Sequence, residues 1–455
     1  MNAPLDVELV GLTRALSEQA RTLTIADIPG ETRTWARHCI LDYIACGIAG
    51  ASDELVRILC AELSEQGGEA KATVFGEDVR LPAASAALIN GAASHALDFD
   101  DVNLAMPGHP SVVILPALLA LAEERGSSGA AVLTAFVAGY ELECRLGRVL
   151  APGHYDVLGF HATATIGSFG AAAACANLLG LDYERFPMAL GIAGTQAAGL
   201  KSVFGTMCKP LHAGKASWHG LIAAKLASRG FTSRSDIIEC RQGFASTHSP
   251  DFHPESAFET PSRGWYIQSN LFKYHAACYM VHSSIEAARR LREQFGVTPD
   301  RVESVHVELE EACDRICNIP APRTGLEAKF SLRLATAMGF SGIDTGRLST
   351  YSEAIAMDPD LVRLRDKVNL VFRSGIPNTF AKIEVLMTDG THLTASHDSG
   401  TPSSDTADQG RRLEEKFVGL VEPAIGSRRC RALIAGIGEF EELDDLRELM
   451  TLSGR

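Results

Sequence analysis

Ala162-Thr-Ala-Thr-Ile-Gly-Ser-Phe-Gly-Ala-Ala-Ala-Ala-Cys-Ala-Asn-Leu-Leu-Gly-Leu181 runs for 20 positions without a charged side chain. A run of that length is either a membrane span or a helix buried inside a protein. It is rich in Gly, Ala, Ser and Thr rather than Leu and Ile, and Asn177 interrupts it, so insertion into lipid would gain little. Small residues at this density suit a helix packed closely against other helices. The reading is a buried helix ended by Gly180, and with it a mainly helical body.

The surrounding sequence extends that reading. From residue 7 to about 240 the apolar positions follow helical spacing, as at Leu41, Ile44, Ala45 and Ile48. Pro116 opens the run Ala117-Leu-Leu-Ala-Leu-Ala-Glu-Glu-Arg and Gly126 closes it, the Pro-first, Gly-last order of a helix. After about residue 268 the period changes. Val302, Val305, Val307 and Leu309 alternate with polar residues as in a strand. Ile383 to Thr388, Asp389-Gly390 and Thr391 to Ala395 read as a hairpin with a type I′ turn. From about residue 405 the helical pattern returns. The expected organisation is residues 1–268 and 405–455 forming a large all-helical domain, with a smaller α+β domain, 269–404, inserted.

Composition narrows the chemistry. The 455 residues carry a formal net charge of −14, which disfavours nucleic acid and anionic membranes as partners. An anionic substrate would need a local basic cluster. The 11 cysteines include no Cys-x-x-Cys pair, and Cys313 and Cys317 are the closest. No disulfide framework is expected, and a reducing cytoplasmic setting fits. The N-terminal Met1 to Glu8 shows no basic region leading into an apolar core, so no signal peptide is read.

Several signatures are missing. Gly214-Lys215-Ala216 fails as a phosphate loop, since Lys209 stands where the first Gly belongs and Ala216 where Ser or Thr belongs. No Gly-x-Gly-x-x-Gly follows a strand, and no histidine or cysteine spacing suits a metal.

Three clusters remain. In His95-x-x-Asp98-Phe-Asp100-Asp101, a helical offset of three would put His95 and Asp98 on one face, where the carboxylate can fix an imidazole tautomer. His109 follows, bracketed by Pro107 and Pro110. A capped helix end with a solvated acidic turn would look the same. His161 opens the uncharged helix, either as a cap or as a group placed over an anion site. Lys209, His212, Lys215 and His219 supply a basic patch in which Lys209 and His212 could clamp a carboxylate, or simply form a basic loop. A weaker group, Lys273, His275, Cys278 and His282, lies at the expected domain junction.

These blocks, in this order, resemble the MmgE/PrpD family: Asn90-Gly91…His95…Asp98-Phe-Asp-Asp, His109-Pro-Ser with Leu115 to Glu123, Gly159-Phe-His161, Lys209-Pro-Leu-His212-Ala-Gly-Lys-Ala, Lys273…His282 and Ala328-Lys-Phe-Ser331. The family includes 2-methylcitrate dehydratase, cis-aconitate decarboxylase and iminodisuccinate epimerase. The resemblance implies a helical domain, an inserted lid domain, a homodimer, and no metal or organic cofactor. It implies an active site lined by Asp98, His109, His161 and Lys209, with His95, His212, Lys273 and His282 toward a small anionic carboxylate substrate. All three reactions move a proton at a carbon next to a carboxylate, which calls for a placed base and for stabilisation of the resulting charge. His161 and His109 are read as the acid/base pair, Asp98 as orienting or relaying, and Lys209 with His212 as neutralising substrate carboxylates.

Departures bear on the reaction. Val102 replaces a Thr usual in the dehydratase and decarboxylase branches, and the stretch to His109 is one residue longer than in the decarboxylase. Cys278 stands for a decarboxylase His, and Leu334 for a lid Tyr. Dehydration of a hydroxylated di- or tricarboxylate is therefore expected first, epimerisation of an imino- or amino-dicarboxylate second, and decarboxylation after both. A non-catalytic binding protein is the reading from another class, disfavoured by the density of acidic and basic groups.

Overall fold

The computed structural model describes residues 11–454; the N-terminal run read as lacking a leader lies outside them. The chain is mainly α and divides into two compact units, one running to Phe272 and resuming at Asp405, the other Lys273–Ser404. Leu271 exchanges both backbone hydrogen bonds with Val102, each 2.8 Å, which holds the residues just before Lys273 in the first unit.

The uncharged run forms the helix Ala162–Leu178, buried throughout from Ala162 to Ala176. It packs against the helices Gly129–Leu150, Cys208–Ser228 and Ser111–Arg125. Burial on all sides explains why it carries no polar stripe. Among the described residues, no helix is long and apolar enough to cross a membrane. The helix expected to open at Pro116 begins at Ser111, so Pro116 sits inside it. Gly126 ends it with φ 67°, as a left-handed residue after a helix.

The helix Thr406–Ile425 returns to pack on the helix Gly30–Gly50. Lys416 joins them: its Nζ lies 2.6 Å from both Asp42 Oδ1 and the Phe99 carbonyl, and 3.9 Å from the Phe99 ring centre. Both side chains of the pair are nearly inaccessible, at 4% and 1% exposure. Removing one partner of a buried pair leaves the other desolvated, so Lys416→Met should cost about 3–5 kcal/mol in a urea titration. A variant as stable as wild type would contradict this role.

The second unit is α+β. Its sheet has the strands β1 (Val302–Glu310), β2 (Val368–Arg373), β3 (Phe380–Met387) and β4 (His392–Asp398), in the order β2-β1-β3-β4. β1 pairs parallel with β2 and antiparallel with β3, and β3 antiparallel with β4. The β3–β4 connection differs from the expected type I′ turn. Leu386 pairs with His392, Met387 N–H donates to Thr391, and only Gly390 takes positive φ, at 84°. A type I′ turn needs two such residues. Asp389 instead accepts from the Thr391 N–H at 3.0 Å, the local bond an Asp side chain favours in turns.

Candidate active site

The first unit gathers His95, Asp98, His109, His161, Lys209 and His212, and the sequence shows how. Helices Ala83–Ala96 and Cys208–Ser228 cross in contact at two glycines. A Cβ on Gly91 would lie 2.9 Å from Gly214 Cα, and one on Gly214 only 2.2 Å from the Leu88 carbonyl oxygen. The crossing therefore requires Gly, and it carries the His95 end of one helix to the Lys209 end of the other. Asn90 serves the scaffold, since its side chain accepts from Phe75 N–H at 2.9 Å and donates to the Thr73 carbonyl at 2.9 Å.

The helix of His95 stops at Ala96, and Asp98 takes φ 50°, in the left-handed region. The expected pairing of His95 with Asp98 along one helix face is absent for that reason. Asp98 turns to Lys209, whose Nζ donates to Oδ1 at 2.8 Å. A non-Gly residue in that region costs about 1 kcal/mol or more and is kept where the surroundings demand it.

Asp100, to which the sequence pattern assigns no role, holds the imidazoles. Its carboxylate meets His95 Nδ1 at 2.9 Å and His109 Nδ1 at 2.8 Å, and its side chain is only 1% exposed. Burial opposes its charge, but His109 and His95 hold the carboxyl well below the usual range. Burial lowers His95 to about 4 despite Asp100, so His95 is neutral. The spacing of three in His-x-x-Asp points to Asp98; only the early end of the helix makes the next acid, Asp100, the partner.

His109 is positioned from below. Its backbone N–H donates to Thr163 Oγ1 at 3.1 Å, and a Cβ at Gly108 would lie 2.8 Å from that oxygen. The Gly108-His109 and His161-x-Thr163 blocks thus fit each other. His161 precedes the buried helix, and its Nδ1 lies 3.1 Å from His212 Nδ1. Burial lowers both imidazoles, His161 strongly, with His95 and Lys209 adding to that effect on His161. A neutral pair in Nδ1 contact needs one ring to donate and the other to accept, so one ring keeps a basic Nε2. The Phe204 ring stands edge-on to His161 at 4.9 Å, with Lys209 Nζ 5.4 Å from its centre.

His95, Asp98, Asp100 and His109 each offer a ligand atom within 4.8 Å of the others, a group that could hold a metal ion. The Lys209 ammonium, already on Asp98, is the cation this cluster contains, and a divalent ion beside it would meet like charge. Lys273 and His282 belong to the second unit, where both are buried. His282 packs on His275 at 4.9 Å, and His275 joins Thr345 Oγ1 at 2.7 Å and Glu286 Oε1 at 3.1 Å.

Behind the first-unit cluster, Asp101 accepts from Ser111 Oγ at 2.5 Å and from Asn270 Nδ2 at 2.8 Å. Burial and the nearby Asp42 push its carboxyl up to about 7. The folded value thus exceeds the unfolded one of about 4, so the native state binds the extra proton between them. The stability from this group is complete below that unfolded value and is lost as pH rises through about 7. Asp101→Asn should therefore gain on wild type by roughly 2–3 kcal/mol between pH ~5 and ~8, read by urea titration at both. An unchanged difference would show that Asp101 is ionised throughout.

The MmgE/PrpD N-terminal domain matches residues 14–257, and the MmgE/PrpD C-terminal domain matches 275–437. The chain belongs to the MmgE/PrpD family. Among its relatives, the cis-aconitate decarboxylase of Homo sapiens is 28% identical, covering 98% of this chain and 95% of its own. The Aspergillus terreus enzyme of that name is 27% identical, over 97% of this chain and 96% of its own. Within this MmgE/PrpD chain, Val102 is paired through its backbone to Leu271, and Leu334 is fully buried in the helix Leu332–Ser341.

Proposed function

We propose that this chain is a lyase that moves a proton at a carbon next to a carboxylate of a small polycarboxylate. The observation that carries the reading is the His161–His212 contact in the same cluster as the Lys209–Asp98 ion pair and the His109–Asp100 pair. One neutral imidazole supplies a lone pair at Nε2, the Asp100 carboxylate favours positive charge on an imidazole that takes up a proton, and Lys209 offers an ammonium to an anion. In this reading His212 orients His161 instead of clamping a carboxylate, because burial favours its neutral form.

The relatives move decarboxylation of a cis-aconitate-like tricarboxylate from last place in the order drawn from sequence to first, ahead of dehydration and epimerisation. Leu334 no longer weighs against it, since its buried side chain packs the interior of the second unit. The step balances: the electron pair of the old double bond takes a proton at the vinylic CH beside one carboxylate, carbon dioxide leaves the methylene attached to the other alkene carbon, and the electrons of the broken C–C bond form the new double bond between that methylene and that carbon. His109 is the assigned donor and Lys209 holds the carboxylate that gains charge. Dehydration, first in the sequence reading, becomes the second, because the cluster offers both a basic imidazole for a C–H proton and a second imidazole for the departing hydroxyl. The Lys273–Ser404 unit, as a lid carrying Lys273 and His282, and a homodimeric assembly complete the proposal.

Incubation with cis-aconitate, 2-methylcitrate, citrate and imino-dicarboxylates, followed by proton NMR, tests it. A decarboxylated methylene product supports the first reading and a dehydrated one the second. Silence across the panel contradicts both.

A further inference from the structure

Lys201 belongs to none of the sequence clusters, yet the backbone carries it to His161. It opens the turn Lys201–Val203, directly after Leu200, and Leu200 pairs antiparallel with Phe160. Two backbone hydrogen bonds flank that pair. His161 N–H donates to the Gly199 carbonyl at 3.0 Å, and Lys201 N–H donates to the Gly159 carbonyl at 2.9 Å. Side chains alternate between the faces of paired extended segments, so Phe160 and Leu200 share one face, and His161 and Lys201 share the other. Phe160 uses its face to stack on His154, with ring centres 5.0 Å apart. Lys201 stands diagonally across from His161, two positions beyond Gly199, and such neighbours have side chains rooted about 7–8 Å apart. A lysine stem spans that distance.

The Lys201 ammonium is held without being neutralised. Its Nζ lies 3.6 Å from the Tyr155 ring centre and donates to the Tyr155 carbonyl at 3.1 Å. An ammonium has three donors, so donors remain for an arriving acceptor. Lys209 is paired with Asp98, whereas among the described residues no carboxylate forms an ion pair with Lys201. Partial burial works against its charge, and Asp156 offsets this only from beyond ion-pair distance. A partly desolvated cation without an acid is the complement of a carboxylate. The same turn also builds the wall of the site. Phe204 N–H donates to the Lys201 carbonyl at 3.0 Å, and the Phe204 ring reaches both His161, at 4.9 Å, and Lys209 Nζ, at 5.4 Å.

We propose that Lys201 is a second carboxylate-binding group of the His161 site, holding a substrate carboxylate that takes no part in the proton transfer. This rests on the polycarboxylate reading and sharpens it: the substrate carries at least two carboxylates, one for Lys209 and one for Lys201. A monocarboxylic acid would leave one ammonium unmatched. Gripping the remote carboxylate fixes the reacting carbon against the imidazoles, which is how binding energy far from the chemistry serves the reaction.

The test is calorimetric titration of the full chain with propane-1,2,3-tricarboxylate. This acid has no hydroxyl to eliminate and no double bond to protonate, so binding is read without turnover. Wild type should bind it. Lys201→Gln keeps a donor for the Tyr155 carbonyl and removes the charge, and it should weaken binding by about ten-fold or more, while Lys201→Arg should recover most of that loss. Thermal unfolding reports the fold of each variant, and Lys201→Met takes the place of Lys201→Gln if the latter does not fold. Binding by the uncharged variant within two-fold of wild type overturns the proposal, as does Lys201→Arg binding as weakly as Lys201→Gln, since the charge would then not be what matters. If Lys209→Met weakens binding and Lys201→Gln does not, the polycarboxylate reading stands and this proposal falls. No binding by wild type overturns both.

Discussion

Lys209→Met should lower kcat/KM for the polycarboxylate by about 10³ and leave the fold almost untouched. The Lys209 ammonium lies 2.8 Å from Asp98, and the carboxylate side chain is 45% exposed. A pair so wet contributes at most about 1 kcal/mol to stability, because water can take over either charge. The same ammonium facing an anion that gains charge during reaction acts where no solvent molecule can substitute at a fixed distance. Loss of one such preorganised donor costs two to three orders of magnitude, on the order of 3–4 kcal/mol of transition-state stabilisation. Methionine keeps the stem packed near Phe204 and removes only the charge. The check pairs steady-state kinetics with urea unfolding. Activity within ten-fold of wild type would remove Lys209 from the chemistry, and a large loss of stability would make it a structural residue.

Gly214→Val is the second large effect, and it should strike fold and activity together. A Cβ there meets the Leu88 carbonyl oxygen at 2.2 Å and the Ala92 nitrogen at 3.2 Å, both backbone atoms of the facing helix. No rotamer relieves a clash with backbone, so the helices Ala83–Ala96 and Cys208–Ser228 must separate. Overpacking of this kind costs about 3 kcal/mol or more. Because His95 and Asp98 follow from one helix and Lys209 begins the other, any folded variant should also lose the 2.8 Å Asp98–Lys209 contact. Thermal unfolding together with kcat measures both. Wild-type stability would show that the helices have slack and that the glycines do not set the site.

The helical body was legible because one feature, an uncharged run of small residues, has few structural outlets. The sheet was legible in part. Alternation marks β1 and the β3–β4 hairpin, but nothing in Val368–Arg373 announces a parallel partner, since parallel pairing joins strands distant in sequence. The site residues were found as types in order, not as pairs. Helical spacing matches His95 with Asp98, and it fails once the helix ends at Ala96 and Asp98 turns left-handed. Asp100 then becomes the partner of both His95 and His109, a role no spacing rule assigns. The contact of His212 with His161 joins two helix starts and so is tertiary information. Asn90 stands in the matching block for its backbone clamp, not for chemistry.

If the cluster of His161, His109, Asp98 and Lys209 transfers a proton at a carbon next to a carboxylate, solvent hydrogen must reach that carbon. Turnover of cis-aconitate and of hydroxylated tricarboxylates in deuterated water, with NMR of product and remaining substrate, addresses this directly. Wild type should place one deuterium on a carbon beside a carboxylate, in product or in recovered substrate, and His109→Ala should reduce that incorporation by about 10²–10⁴. Turnover that leaves those carbons unlabelled, or labelling that persists at the wild-type rate in His109→Ala, would contradict the proton-transfer role of the cluster.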